Sequence, residues 1–261
     1  MLERIVIEED RATGARLKRY SIVADVDYWT RRWQSVENVS YKREQRGHLP
    51  HQLRTTFGRW VPVGARTLEA GCGLGHFTVA AHALGYRAEG LDWSEPTISR
   101  LRRQFSSIPW HVGDVRDLDF SDDTFDAIYS PGVCEHFSEG PTHILTETRR
   151  VLRHGGIAVI STPCFNDWLQ RRASAFGAAA QAVDESTFHE YAFTPDGMAR
   201  LLGQLGFEVL EIRPYAALDT FVRYAGWRVP RRLNDALSFG MDYLPIVREW
   251  GSTCLWIARK R

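Results

Sequence analysis

No apolar stretch in these 261 residues approaches the length that spans a bilayer. The opening MLERIVIEEDRATGARLKRY lacks the apolar h-region of a secretion signal. Cysteine is scarce: Cys72, Cys134, Cys164 and Cys254 lie far apart and show no paired metal-ligand spacing. Neither sign of charge dominates, with Lys+Arg 33 against Asp+Glu 32, so nothing points to a polyanionic partner. Internal repeats and low-complexity tracts are missing as well. These absences predict a soluble, cytoplasmic chain with free thiols. They predict no nucleic-acid partner, no stable membrane insertion, and a monomer or homodimer.

What is present is a rhythm. From Arg66 onward, short apolar runs alternate with segments of helical period. RTLEA, YRAEGLDW, WHVGDV, FDAIYS and IAVISTP read as strands, as do FEVLEI and TCLWIARK further on. HFTVAAHAL places Phe77, Ala80, Ala81 and Leu84 on one helical face, and Gly85 stops it. Ser94 precedes a helix with Glu95 and Pro96 in its first turn, THILTETRRVL makes another, and Thr194-Pro195 opens a third. Gly155-Gly156 reads as a turn. This alternation predicts right-handed βαβ crossovers and a Rossmann-like, doubly wound α/β fold around a mostly parallel seven-stranded sheet. Three regions break the rhythm. Residues 1–60 read as an N-terminal helical cap before a domain over 61–261. That domain carries insertions at 164–190, with a predicted amphipathic helix (Phe165, Trp168, Leu169, Phe176), and at 215–251, rich in aromatics and arginine.

The stretch LEAGCGLGHFT joins the first strand to the first helix of the domain. Glycines there let a backbone approach a ligand, and a helix N-terminus favours an anion. A P-loop requires Gly-Lys-Ser/Thr, which does not follow. A dinucleotide fingerprint requires glycine at position 76, which is His76. The glycines fall instead at Gly71, Gly73 and Gly75, behind Glu69. A carboxylate there would repel a pyrophosphate, yet suits a ligand with an ammonium beside its carboxylate. S-adenosylmethionine (SAM) has such an end.

With its later segments, the chain resembles the small-molecule branch of the class I SAM-dependent methyltransferases, the type 11 group, from about Arg66 to Arg213. LEAGCGLG resembles the family's first motif, GLDWS its second, GDVRDL its third and FDAIYSPGVCEHF its fourth. The resemblance implies a SAM site built from Glu69, Gly71, Cys72, Gly73, Gly75, Asp92, Trp93, Asp114, Val115 and Ser130, with S-adenosylhomocysteine as product. In it Asp92 accepts from the ribose hydroxyls and Trp93 covers the adenine. Asp114 accepts from the adenine amino group, and Val115 meets the ring edge through its backbone. The implied acceptor is an oxygen or nitrogen of a small molecule: a metabolite, natural product or sugar-containing intermediate. A silent SAM-binding partner subunit is the alternative. An NAD-dependent oxidoreductase is a further one, against which Glu69 and His76 argue.

An acceptor that arrives protonated needs a base. His136, just past the fourth strand, is the first candidate, with Glu135 beside it to tune it. His189, in the expected loop FHEYAFT, is the second. Some relatives that methylate polyprenylated phenols hold a metal on a Glu-x-x-Glu-His run. Here Gly132 replaces the first carboxylate, so no metal is expected. Trp29 and Trp33 share a helical face, with core packing as the first reading and a lid over the site as the second. Arg223, Arg228, Arg231 and Arg232 read as a solvated face.

Overall fold

Strand β3 (Arg66–Ala70) is buried from Thr67 onward, as befits a central parallel strand with helices on both faces. It lies between β4 (Arg87–Asp92) and β6 (Phe125–Pro131), parallel to both. Beyond them come β5 (Trp110–Val112) on one side and β7 (Leu152–Pro163) on the other. The sheet order is β5-β4-β3-β6-β7-β10-β9, with β9 at Phe207–Tyr215 and β10 at Thr253–Lys260. Only β10 runs against its neighbours, pairing antiparallel with both β7 and β9. The expected seven-stranded, mostly parallel sheet is therefore present. The computed structural model describes residues 4–172, 185–224, 228–230, 237, 240–241, 244 and 249–261. Among these, no helix is long and apolar enough to cross a membrane.

Five helices connect or cover the sheet. They are α2 (His51–Trp60), α3 (His76–Ala83), α4 (Glu95–Gln104), α5 (Thr142–Val151) and α7 (Pro195–Gln204). Thr194 caps α7 by accepting from the Gly197 amide, as its position before Pro195 implies. Apolar faces meet in four clusters among the described residues, the two largest around Phe125, Trp256 and Phe207 and around Phe57, Phe77 and Tyr129. Trp256 is wholly buried, and its indole N–H donates to the Pro195 carbonyl, so the largest core side chain also leaves no orphan donor.

Four expectations need correction. Residues 1–60 are not helical throughout: β1 (Arg4–Asp10) and β2 (Gly14–Tyr20) form an antiparallel hairpin, with Arg4 opposite Tyr20. Three consecutive β-branched residues, Ile5, Val6 and Ile7, favour a strand there. FHEYAFT is not a loop, because β8 (Phe188–Phe193) pairs with β2 in a second, three-stranded sheet. Gly155-Gly156 is not a turn between elements. It lies inside β7, where the pairing with β6 shifts register between Phe125 and Ala127. The predicted amphipathic helix is short, α6 (Asp167–Arg171), capped by the Asn166 side chain accepting from the Leu169 amide. Phe176 lies outside the described residues.

The late segment contributes α8 (Ala217–Tyr224), on which Phe221 packs edge-on against Trp168 and Trp250. Trp227, Arg231, Arg232, Phe239 and Tyr243 lie outside the described residues. Arg228 is exposed, and of the side chain of Arg223 nothing is described.

Two glycines separate packing from propensity. A Cβ at Gly90 in β4 would stand 2.5 Å from the Trp110 ring, whereas one at Gly203 on α7 meets nothing within 4 Å. Gly90→Ala is expected to cost about 1–3 kcal/mol through overpacking. Gly203→Ala is expected to gain about 0.5 kcal/mol by restricting the unfolded chain. Urea unfolding of the two variants checks both signs.

Candidate functional site

In this strand order the topology reverses between β3 and β6, and open α/β sheets bind ligands at such a point. A cavity of about 330 Å³ lies there, lined by the loops after β3, β4, β5 and β6. Its walls include Gly71, Cys72, Gly73, Asp92, Trp93, Gly113, Val115 and His136. Of the twelve residues singled out from sequence, seven line it. Glu69, Gly75, Asp114, Ser130 and His189 do not.

The glycine loop is committed inward. The amides of Gly71 and Cys72 both donate to the Leu91 carbonyl, at 2.8 Å each. The Gly73 amide donates to Asp92 Oδ2 at 2.8 Å, and the Ser94 amide to Asp92 Oδ1 at 2.9 Å. In this arrangement these amides are occupied by the protein. Bareness of the loop serves close approach instead. A Cβ at Gly71 would fall 2.4 Å from Val133 and one at Gly73 2.8 Å from Trp33, and both glycines have positive φ. Gly75 faces Trp110 in the core.

Glu69 lies beneath this loop, with Oε2 accepting from the Thr78 amide at 2.9 Å and the Thr78 hydroxyl at 2.6 Å. It ties β3 to the first turn of α3. Burial pushes its carboxyl up to about 8 against the Thr78 hydrogen bonds, and Asp92 adds to the rise. Burial likewise raises the Asp92 carboxyl and the Cys72 thiol. Asp114 faces away from the cavity to Arg116, whose guanidinium donates to both carboxylate oxygens. Burial raises Asp114, but these hydrogen bonds outweigh it and hold the group below its ordinary range. Ser130 is buried on β6 with its hydroxyl unpartnered.

The aromatic pair belongs to the site and not to the core. Helix α1 (Val26–Gln34) buries no residue, and its N-cap Asp25 accepts from the Tyr28 amide. Trp29 and Trp33 stack at 5.3 Å between ring centroids and line the cavity with Arg32. Thr30 meets Ser94, and Arg100 donates to the Trp33 and Val36 carbonyls, which seats α1 on α4. Sequence spacing showed the shared face; what lay beneath it is a tertiary fact.

His136 stands in a 3-10 turn after β6, its ring 5.0 Å from Trp29 and 5.3 Å from His189. Its Nδ1 is 2.8 Å from the His189 backbone oxygen, which can only accept, so Nδ1 carries the proton and Nε2 the lone pair. Burial lowers its affinity for a second proton, while that carbonyl and Glu190 raise it. His189 Nδ1 is likewise 2.8 Å from the Ile22 carbonyl, which fixes that ring on β8. The carboxylate expected to tune His136 was its neighbour Glu135. The structure gives that place to Glu190, while Glu135 is buried with Oε2 unpartnered and its carboxyl pushed well up by burial. His136, His189 and Glu190 bring one donor atom each within 4.8 Å of one another, a spacing that could hold a metal ion. Arg19 on β2 already supplies Glu190 with a cation. Glu190 and Arg19 escaped the sequence reading because their pairing joins strands 171 residues apart.

The chain is similar to known methyltransferases. Residues 68–160 match the family model Methyltransf_11, described as a methyltransferase domain. A protein of Mycolicibacterium smegmatis named as an S-adenosylmethionine-dependent methyltransferase is 27% identical over 187 residues, 72% of this chain. The match spans 62% of that protein, less than two thirds of its length. The ubiquinone biosynthesis O-methyltransferase of Xanthomonas axonopodis pv. citri is 27% identical over 199 residues, 71% of this chain and 77% of its own. The methyltransferase solved in complex with the Haloferax volcanii Trm112 activator superposes with a TM-score of 0.57 at 22% identity. That superposition covers 92% of this chain and 97% of the other, a likeness of fold.

The buried Glu69 makes stability depend on pH. Its folded value, about 8, lies above its ordinary 4.5, so the folded chain keeps a proton that the unfolded chain releases. The associated stability is fully present below pH 4.5 and is lost as pH rises toward 8. Glu69→Gln keeps an acceptor for Thr78 and does not titrate. In the ligand-free protein, its stability relative to the parent is expected to climb across that window in urea unfolding. A flat difference from pH 4 to 8 contradicts the assignment.

Proposed function

We propose that this chain is a class I SAM-dependent methyltransferase and that the cavity between β3 and β6 holds SAM. We propose further that the methyl goes to an oxygen or nitrogen of a small-molecule acceptor, with His136 taking the acceptor's proton. The observation that carries this reading is the His136 imidazole on the cavity wall, neutral and with Nε2 as its lone pair.

The residues present fit the cofactor. Asp92 is a buried carboxylate on the cavity wall at the end of β4, beside Trp93, and suits a pair of ribose hydroxyls. Val115 offers apolar surface to a base. Arg32 is the cation among the described wall residues and suits a carboxylate, since the amides of Gly71, Cys72 and Gly73 are engaged. Bound SAM would supply an activated methyl on a sulfonium. The chain's own work is then to align the acceptor, exclude water and hold a proton. Trp29, Trp33 and Phe137 give the cavity apolar walls that favour water exclusion. The acceptor's proton would pass to His136 Nε2. Alignment alone contributes several kcal/mol, and proton transfer on the order of 100-fold or more.

Calorimetry is expected to find SAM and S-adenosylhomocysteine binding and no binding of NAD(H). Asp92→Ala and Arg32→Ala are each expected to weaken SAM by about 1–3 kcal/mol, the scale for a lost charged partner. Tight NAD binding, or unchanged SAM affinity in Asp92→Ala, overturns the cofactor assignment. With an acceptor found by screening, His136→Gln is expected to lower turnover roughly 100-fold while SAM affinity holds. Full turnover in that variant from pH 6 to 9 removes His136 from the proton step.

A further inference from the structure

The N-terminal hairpin is joined to the site through one pair of charges. Arg19 on β2 and Glu190 on β8 are directly opposite in the pairing of the second sheet, and the Arg19 Nη1 donates to Glu190 Oε1. Both side chains are withdrawn from water, at 3% and 12% exposure, so the pair is only weakly screened. Glu190 follows the residue whose carbonyl binds His136 Nδ1, and its carboxylate lies within 4.8 Å of a His136 ring nitrogen. Two parts of a base apparatus thus come from neighbouring residues of one strand: the His189 carbonyl orients the ring, and Glu190 brings the charge.

We propose that Glu190, held by Arg19 of the N-terminal hairpin, is a positioning residue that stabilises His136 when the imidazole takes up the acceptor's proton. The proposal rests on the reading of His136 as the proton acceptor. A proton arriving at Nε2 turns a half-buried ring into a cation. Burial opposes that charge, and a carboxylate at this distance favours it. Arg19 keeps Glu190 ionised despite its burial and so keeps the carboxylate available to the ring. The other charged or titratable groups facing this point are His189 on β8, Glu135 on the ring's own turn, and Asp92 and Arg32 on the cavity walls. Tyr28 of α1 packs edge-on against His189. Burial holds Glu135 toward its protonated form and Asp92 is tied to the Gly73 and Ser94 amides, whereas Glu190 is the carboxylate that raises the affinity of His136 for a proton.

The test is an NMR titration of the full chain with ring-labelled histidine, with the His136 signal assigned by its loss in His136→Gln. It needs no acceptor, so it stands or falls apart from the turnover of that variant. Glu190→Gln removes the anion and is expected to lower the His136 titration midpoint by about one pH unit or more. The double variant Arg19→Gln, Glu190→Gln replaces the buried ion pair by two amides and keeps the test available if the single variant does not fold. Its midpoint is expected between those of Glu190→Gln and the parent. That order supports the proposal. A parent-like midpoint in either folded variant overturns it, whatever the turnover of His136→Gln. Loss of turnover in His136→Gln with unmoved midpoints would mean that His136 works without Glu190.

Discussion

The Asp92 carboxylate ties together the pieces from which the site is made. One oxygen takes the Gly73 amide and the other the Ser94 amide, so the end of β4 fixes the loop after β3 and the start of α4 at once. Ser94 in turn meets Thr30 of α1, and Arg100 of the same α4 holds two carbonyls near the end of α1. The covering helix thus takes its position from the carboxylate beneath it. Trp33 can lie against Gly73 because that residue has no Cβ. Removing the Asp92 charge would disturb the loop after β3 and the start of α4 together.

Around this centre the second sheet does a different task. Strand β8 brings His189 and Glu190 to His136, and β2 pairs with it, so residues near the start of the sequence set the electrostatics of a turn more than a hundred residues later. The seven-stranded sheet supplies the cavity, and the small sheet supplies the groups that surround His136.

The strands of the large sheet were legible because each rests on local signals. Apolar runs of strand length and Thr194 before Pro195 behave in the structure as their chemistry implies. Three things were not legible. The hairpin at Arg4–Tyr20 reads as charged and mixed, because its buried partner is β8, 168 or more residues away. His189 reads as a loop residue because FHEYAFT gains its strand from that pairing. Glu135 was preferred to Glu190 because sequence adjacency is visible and tertiary adjacency is not. Glu69 shows the same limit from the other side: its placement before the glycines was right for an important carboxylate, yet Thr78 occupies one of its oxygens and the cavity wall excludes it.

The antiparallel strand β10 has a consequence for how the molecule is made. Residues 253–260 lie between β7 and β9, and β7 and β9 share no hydrogen bonds of their own. Both strands leave the ribosome earlier than their common partner. Until residues 253–260 arrive, each of the two offers an unpaired edge, and the cleft that receives Trp256 stays open. Unpaired edges and open apolar clefts invite association with other chains. The half-made protein therefore carries its greatest hazard of misassembly in the interval between completion of β9 and emergence of β10.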